Sequence, residues 1–352
     1  MKVLSSEIFT PTHDDKYCYH ASTFIYYKGV RVSAWFEGSR EGMPDCFIKI
    51  VFGEKMQSLC MRRLTIGQYM ALAFWNPVLF EVGNKLLLFY KAGTFCDRWQ
   101  TFLLDLTPYF ENRELSLEEC LTGDFDKDNL NDTIFESIIP AGLNACVKTK
   151  PVIIGNEIIC GSSVESSLAW TPYLEVFHYD EFGDKNIHFS HRSAPLTNFC
   201  AIQPAMVHEP ISDRLLTFAR TKKLGRVIFG CFPVGDVLHN VYKKYEMNPI
   251  QIENPNSSLD VCIVKENLYL ICNNSRTERS KLSVINLGLA RDVVDGDVNV
   301  VDSLEIDNEK SVDANTSFTL ENSYPYAQVY DDKIYISYTN GRNSIKTAIV
   351  EI

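Results

Sequence analysis

One hairpin pattern recurs six times along this chain, and it leaves few folds open. Each copy has a polar residue, often followed by proline, then a short apolar strand, a tight turn and a second apolar strand. The copies open at His20, Asn76, Lys150, Gln203, Asp260 and Tyr324. Their turns are read at Lys28-Gly29, Gly83-Asn84, Gly155-Asn156, near Ser212-Asp213, and at Glu266-Asn267 and Asp331-Asp332. Gly, Asn and Asp tolerate the positive φ that two-residue hairpins require. Pro77, Pro151, Pro204 and Pro325 are read as the first residues of strands, where no ladder N–H is lost. A spacing of roughly 50 to 70 residues leaves room for a four-stranded sheet per copy. Residues 174–178 and 227–232 are candidates for the additional strands. The expectation is an all-β fold, a six-bladed β-propeller formed by residues 1–352 as one domain.

Composition narrows the class of function. The net charge is −11 and the pI about 5.2. Nucleic-acid binding needs a basic footprint, so no nucleic-acid partner is expected. No apolar run is long enough to span a bilayer, and residues 1–7 lack the apolar core of a signal peptide. The 11 cysteines form no CxxC pair and lie mostly in apolar strands, as free thiols of a reducing compartment do. The expectations are a cytoplasmic protein with no membrane partner, no metal site and no cofactor. Phosphate loops, dinucleotide fingerprints and zinc motifs are absent from the sequence. The oligomeric state is not legible.

In a propeller the innermost strand of each blade lines the central channel. If the copies are equivalent, His20, Asn76, Lys150, Gln203, Asp260 and Tyr324 form a ring. A ring mixing acid, base, amide and phenol suits a ligand site better than a structural repeat does. The ends of the second strands add Glu37, Arg40, Lys91, Glu165, Arg220, Asn273, Arg276 and Arg342. Cations gathered in an acidic protein suit an anionic ligand, because guanidinium forks match carboxylates. The carboxylates of Asp45, Glu165 and Asp260 are candidates for proton transfer. Trp99 and Trp170 are candidate sugar platforms, whereas Trp35 and Trp75 are expected to pack between blades.

These segments resemble the BNR-repeat sialidase-like proteins. The similar stretches include His20-Ala21-Ser22-Thr23, residues 35–45 (WFEGSREGMPD), Trp75-Asn76-Pro77, residues 86–93, Lys148-Thr149-Lys150-Pro151, residues 161–165, Ile202-Gln203-Pro204, residues 254–257 and Ser323-Tyr324-Pro325. The resemblance implies a six-bladed propeller with its site at the hub. It also implies Asp45 at the place of the acid/base aspartate, Tyr324 at that of the nucleophile, Arg220 as one member of an arginine triad, and Arg276 or Arg342 as another. His20 stands where the family has its first arginine, and Gln203 where it has the glutamate that assists the tyrosine. The family's Asp-box turn is not intact; residues 104–109 and 179–184 stand where one is expected.

The first expectation is an exo-glycosidase acting on a terminal acidic sugar. Asp45 is its acid/base, Tyr324 its nucleophile or electrostatic stabiliser, and Glu165 or Asp260 the base for Tyr324. Arg220, Arg342 and Lys150 hold the carboxylate. The second is a uronate-directed lyase in which His20 or Tyr324 abstracts the proton. The third is a glycan-binding propeller without catalysis. An acidic sugar or oligosaccharide is the expected ligand, with a binding partner as the alternative in the third reading.

Overall fold

The computed structural model describes residues 1–10, 18–54, 61–95, 98–116, 119, 128–136, 139–166, 169–181, 187–293, 298–308 and 321–352. The chain opens with β1 (Lys2–Ile8). The first blade follows with β2 (Cys18–Tyr27), β3 (Val30–Gly38), β4 (Phe47–Phe52) and β5 (Arg63–Ile66), and the second with β6 (Ala73–Val82), β7 (Lys85–Gly93) and β8 (Gln100–Asp105). A two-residue strand, β9 (Asp128–Asn129), returns to lie parallel beside β5. The third blade is β10 (Val152–Ile154), β11 (Glu157–Glu165), β12 (Trp170–Tyr179) and β13 (Ile187–Arg192). The fourth is β14 (Ala201–Glu209), β15 (Arg214–Thr221), β16 (Arg226–Pro233) and β17 (Asn248–Glu253). The fifth is β18 (Asp260–Val264), β19 (Asn267–Asn273), β20 (Leu282–Leu289) and β21 (Asp302–Asp307). The sixth is β22 (Asn322–Tyr330), β23 (Lys333–Asn340) and β24 (Ser344–Glu351), with β1 as its outer strand. The chain is therefore a six-bladed β-propeller. The two ends of the chain close the ring through the β1–β24 ladder.

Six apolar clusters account for the cohesion, one at each junction between neighbouring blades. Trp35 and Trp75 are buried in two of them, as their sequence context suggests. The turns also follow the local chemistry, with one adjustment. The fifth hairpin turns at Lys265-Glu266, one residue earlier than read from sequence, and both residues have positive φ.

Pro151 stands directly before β10, but the other three prolines do not open their strands as expected. β6, β14 and β22 start upstream of them, and Pro77, Pro204 and Pro325 sit inside bulges of the innermost strands. The residue before each proline is left-handed: φ is +46° at Asn76, +56° at Gln203 and +55° at Tyr324. In the first blade the bulged left-handed residue is Ala21, at +53°. A bulge leaves one residue out of the ladder, so proline's missing N–H costs nothing there. Each non-glycine residue held in this region costs roughly 1–3 kcal/mol, which the surrounding packing must offset.

The bulges correct the inferred ring. The last paired residues of the inner strands are Tyr27, Val82, Ile154, Glu209, Val264 and Tyr330. Six residues before each lie Ala21, Asn76, Lys148, Gln203, Ser258 and Tyr324. Lys150 and Asp260 fall two residues further along, in the layer of Tyr326, and His20 falls one residue before Ala21. The hub thus has two layers. In the lower one Tyr326 is fully buried, and its hydroxyl donates to the Leu79 carbonyl at 2.9 Å. The ammonium groups of Lys148 and Lys150 lie 5.2 and 5.5 Å from its ring centroid.

Candidate functional site

The upper layer is organised around Tyr324. Its oxygen accepts a hydrogen bond from Nη2 of Arg220 at 3.1 Å, and the same guanidinium lies 5.3 Å from its ring centroid. Arg220 is the penultimate residue of β15, opposite Ile202 of the innermost strand, which carries it to the hub. Its Nη1 donates to the Asn256 carbonyl at 2.8 Å, and Nη2 of Arg279 donates to that same oxygen at 2.6 Å. Arg279 also reaches Glu321 at 3.4 Å. Arg342, in the β23–β24 turn, donates from Nε to the other Glu321 oxygen at 2.6 Å and from Nη1 to Glu41 at 2.5 Å. Three guanidinium groups and a buried carboxylate therefore form one continuous network beside the phenol.

Arg279, Glu321 and Glu41 escape the sequence reading. Arg276, the expected residue, is exposed and lies beside Gly225. The loop after β19 is pinned three residues later instead. The Asn273 amide donates to the carbonyls of Arg279, Lys281 and Asn322, at 2.8, 3.0 and 2.8 Å. This aims Arg279 inward, so Asn273 acts by holding the loop. Glu321 precedes β22, outside every hairpin motif.

His20 is fully buried and lies against Tyr324, with ring centroids 4.1 Å apart. Its Nδ1 is 2.8 Å from Thr339 Oγ1 and 3.8 Å from Glu321. Nε2 has no hydrogen-bond partner among the described residues. Burial, reinforced by Arg342, Arg279, Lys148 and Arg220, holds its pKa well below 6.5, so the imidazole is neutral.

Glu165 and Trp170 face each other across the β11–β12 ladder. The Trp170 ring lies under Lys222 at 4.6 Å and under Arg220 at 5.7 Å. Glu165 is half-buried; burial raises its pKa against the opposing pull of Arg220 and Lys222. Asp45 lies on the exposed β3–β4 loop, where its carboxylate accepts from the Ser39 N–H at 3.0 Å and the Ser39 hydroxyl at 2.9 Å. The same loop delivers Glu41 to Arg342. Arg40 there is exposed, with Nη2 3.7 Å from Met43 Sδ. Glu37 accepts from the Trp35 indole at 2.8 Å.

The remaining hub residues make their hydrogen bonds outside the arginine network. Lys150 pairs with Asp260, 2.7 Å from each oxygen. Asp260 also accepts from the Val261 and Ala327 N–H groups at 2.9 and 2.7 Å. It is fully buried, and its oxygens are committed to joining three blades. Lys148, which sequence reasoning passed over, takes the place in the bulge layer assigned to Lys150. It is fully buried and donates to the Pro325 carbonyl at 3.3 Å. Burial lowers its pKa to about 7, with Lys150 and Arg220 adding to the effect and Asp260 opposing it. Lys91 is fully buried at the second blade, donating to Thr101 at 3.0 Å and to the Asn144 carbonyl. Burial lowers its pKa to about 8. Trp99 packs on Trp75, centroids 5.8 Å apart. Asn76 and Gln203 are buried in their bulges, and Gln203 Oε1 has no partner among the described residues. Asp105, in the first eroded Asp-box, braces its turn by accepting from Lys85 and the Thr107 N–H, both at 2.8 Å. Part of the second, residues 182–184, lies outside the described residues. No three His, Cys, Asp or Glu side chains among the described residues gather as a metal site, and no described helix is long and apolar enough to cross a membrane.

Residues 31–336 match the family described as BNR repeat-like domain, and the chain belongs to that family. No curated protein matches it in sequence. Among solved structures it is similar to the NanB sialidase of Streptococcus pneumoniae, with 12% identity and a TM-score of 0.60, over 95% of this chain and 68% of that one. It is also similar to the Trypanosoma rangeli sialidase, with 10% identity and a TM-score of 0.56, over 95% of this chain and 55% of that one. The same T. rangeli enzyme has been solved with sialic acid and as a covalent intermediate with 2,3-difluorosialic acid. The chain spans about half the length of the T. rangeli enzyme. At these identities the likeness is one of fold.

Proposed function

We propose that the protein is a sialidase-like exo-glycosidase that removes a terminal acidic sugar from a glycan or oligosaccharide. The observation that carries this reading is the convergence of Arg220, Arg279 and Arg342 beside Tyr324. A sugar carboxylate supplies the planar acceptor that guanidinium forks match, and it would exchange with the partners these arginines hold in the free protein. Sialidases among the structural neighbours bind sialic acid and an analogue of it, which supports an acidic sugar as ligand.

In this scheme the Tyr324 oxygen attacks the anomeric carbon as the glycosidic C–O bond breaks. Asp45, brought over the sugar by its loop, gives the leaving oxygen a proton. Water, deprotonated by Asp45, then breaks the tyrosyl–sugar bond. Gln203 cannot take the phenol's proton, and Glu165, whose raised pKa suits proton transfer, takes that role. A second reading, a uronate lyase, is favoured by one observation: His20 is neutral and its Nε2 is unpartnered among the described residues, as a proton-abstracting base needs.

Mass spectrometry of products from a panel of sialylated and uronic-acid-capped oligosaccharides tests these readings, with Asp45→Asn as control. Hydrolysis products absent in the control support the glycosidase. Unsaturated products without added water move the assignment to a lyase. Binding without turnover across the panel rejects catalysis.

A further inference from the structure

A cavity of about 90 Å³ lies at the hairpin end of the seam between the first and sixth blades, at the other end of β2 from His20. Arg31, Tyr26, Tyr335, Glu7 and Glu54 line it, with Ser5 and Thr347 on the closing strands. Arg31 is only 6% exposed. Its guanidinium carbon lies 4.7 Å from the Phe9 ring centroid and 4.4 Å from that of Phe24, and its Nε donates to Ser33 at 3.0 Å. Neither terminal nitrogen has a hydrogen-bond or ion-pair partner among the described residues. Glu54 is turned to Tyr26, whose hydroxyl donates to it at 3.0 Å. Glu7 and Glu54 act on Arg31 as longer-range charges.

Burial disfavours the charge of Arg31, and an acceptor reaching its terminal nitrogens through the cavity offsets that cost. The rings of Phe9 and Phe24 pack on its guanidinium, and Arg31 lines the cavity. We propose that this cavity is a binding site for the carboxylate of a small hydroxylated acid, separate from the site around Tyr324. The carboxylate takes both terminal nitrogens of Arg31, and the ligand's hydroxyls donate to Glu7 and Glu54 or meet Thr347. The flanking carboxylates select the charge of the ligand. A phosphate dianion beside two glutamates and one arginine is repelled more than a carboxylate monoanion. An ammonium ion would have to share the same small volume with the guanidinium.

The test is ligand-observed NMR titration with glycolate on the 352-residue chain carrying Arg220→Met and Arg342→Met, which removes two of the three arginines of the hub. Saturable binding that weakens roughly tenfold or more in Arg31→Met supports the proposal. Ser5→Trp, a change at an exposed strand position, should block the mouth without disturbing the core, and it decides the matter if Arg31→Met does not fold. The proposal is overturned if glycolate does not bind, if neither substitution alters its binding, or if methylammonium or inorganic phosphate binds better. Arg31→Met and Ser5→Trp both lie outside the arginine network around Tyr324, so a loss of binding in either is read independently of the glycosidase reading.

Discussion

Nη2 of Arg220 donates to the phenolic oxygen of Tyr324 at 3.1 Å while its guanidinium covers the edge of the same residue's ring. A fixed cation at that oxygen favours whatever negative charge develops there during reaction. Tyr324→Phe removes the oxygen and keeps the ring that packs on His20. Turnover on an identified acidic glycoside should fall on the order of 10³-fold or more with the melting temperature little changed. Full activity in this variant would remove Tyr324 from the chemistry.

Glu321 neutralises two arginines while almost fully buried. Glu321→Gln keeps the shape and deletes the charge. Breaking a buried pair costs about 3–5 kcal/mol. The lower end applies here, because Arg279 and Arg342 keep 27% and 18% of their side-chain surface. Urea denaturation measures the difference, and an unchanged midpoint would show that the network contributes little to stability.

His20 sets an acid limit. In the unfolded chain it takes up a proton near pH 6.5, and in the folded protein only at much lower pH. Below pH 6.5 the unfolded state therefore binds more protons, and stability falls as pH falls, by about 1.4 kcal/mol per pH unit until the folded imidazole titrates. His20→Gln should flatten this part of the profile between pH 6.5 and 5 relative to the wild type. Parallel profiles would contradict it.

Lys148 behaves in the same sense at higher pH. Its folded pKa of about 7 lies below the ordinary 10.5. Its contribution to stability therefore rises with pH between about 7 and 10.5, and below 7 the cost of burying the charge is constant. Lys148→Met removes that cost. It should stabilise the protein at pH 7 by on the order of a few kcal/mol, less the loss of the bond to Pro325, and the gain should shrink towards pH 10. Thermal melts at the two pH values check this.

The hairpins were legible because they are local. Alternating apolar residues and Gly, Asn or Asp turns specify a two-strand unit wherever it lies, and six of them at blade spacing point to a ring. That also carried Tyr324, Arg220, Arg342 and His20 to the hub, since each adjoins a recognisable strand. Three things were settled only in the folded ring. The bulges that hold Pro77, Pro204 and Pro325 shift the register, so Lys148 and Ser258, rather than Lys150 and Asp260, share a layer with Tyr324. Hydrogen bonds from Asn273 choose Arg279 over Arg276, and the approach of the β3–β4 loop brings Glu41 to Arg342. Such choices depend on contacts between segments far apart in the chain, and a strand's own pattern carries no record of which residue its neighbour will hold in place.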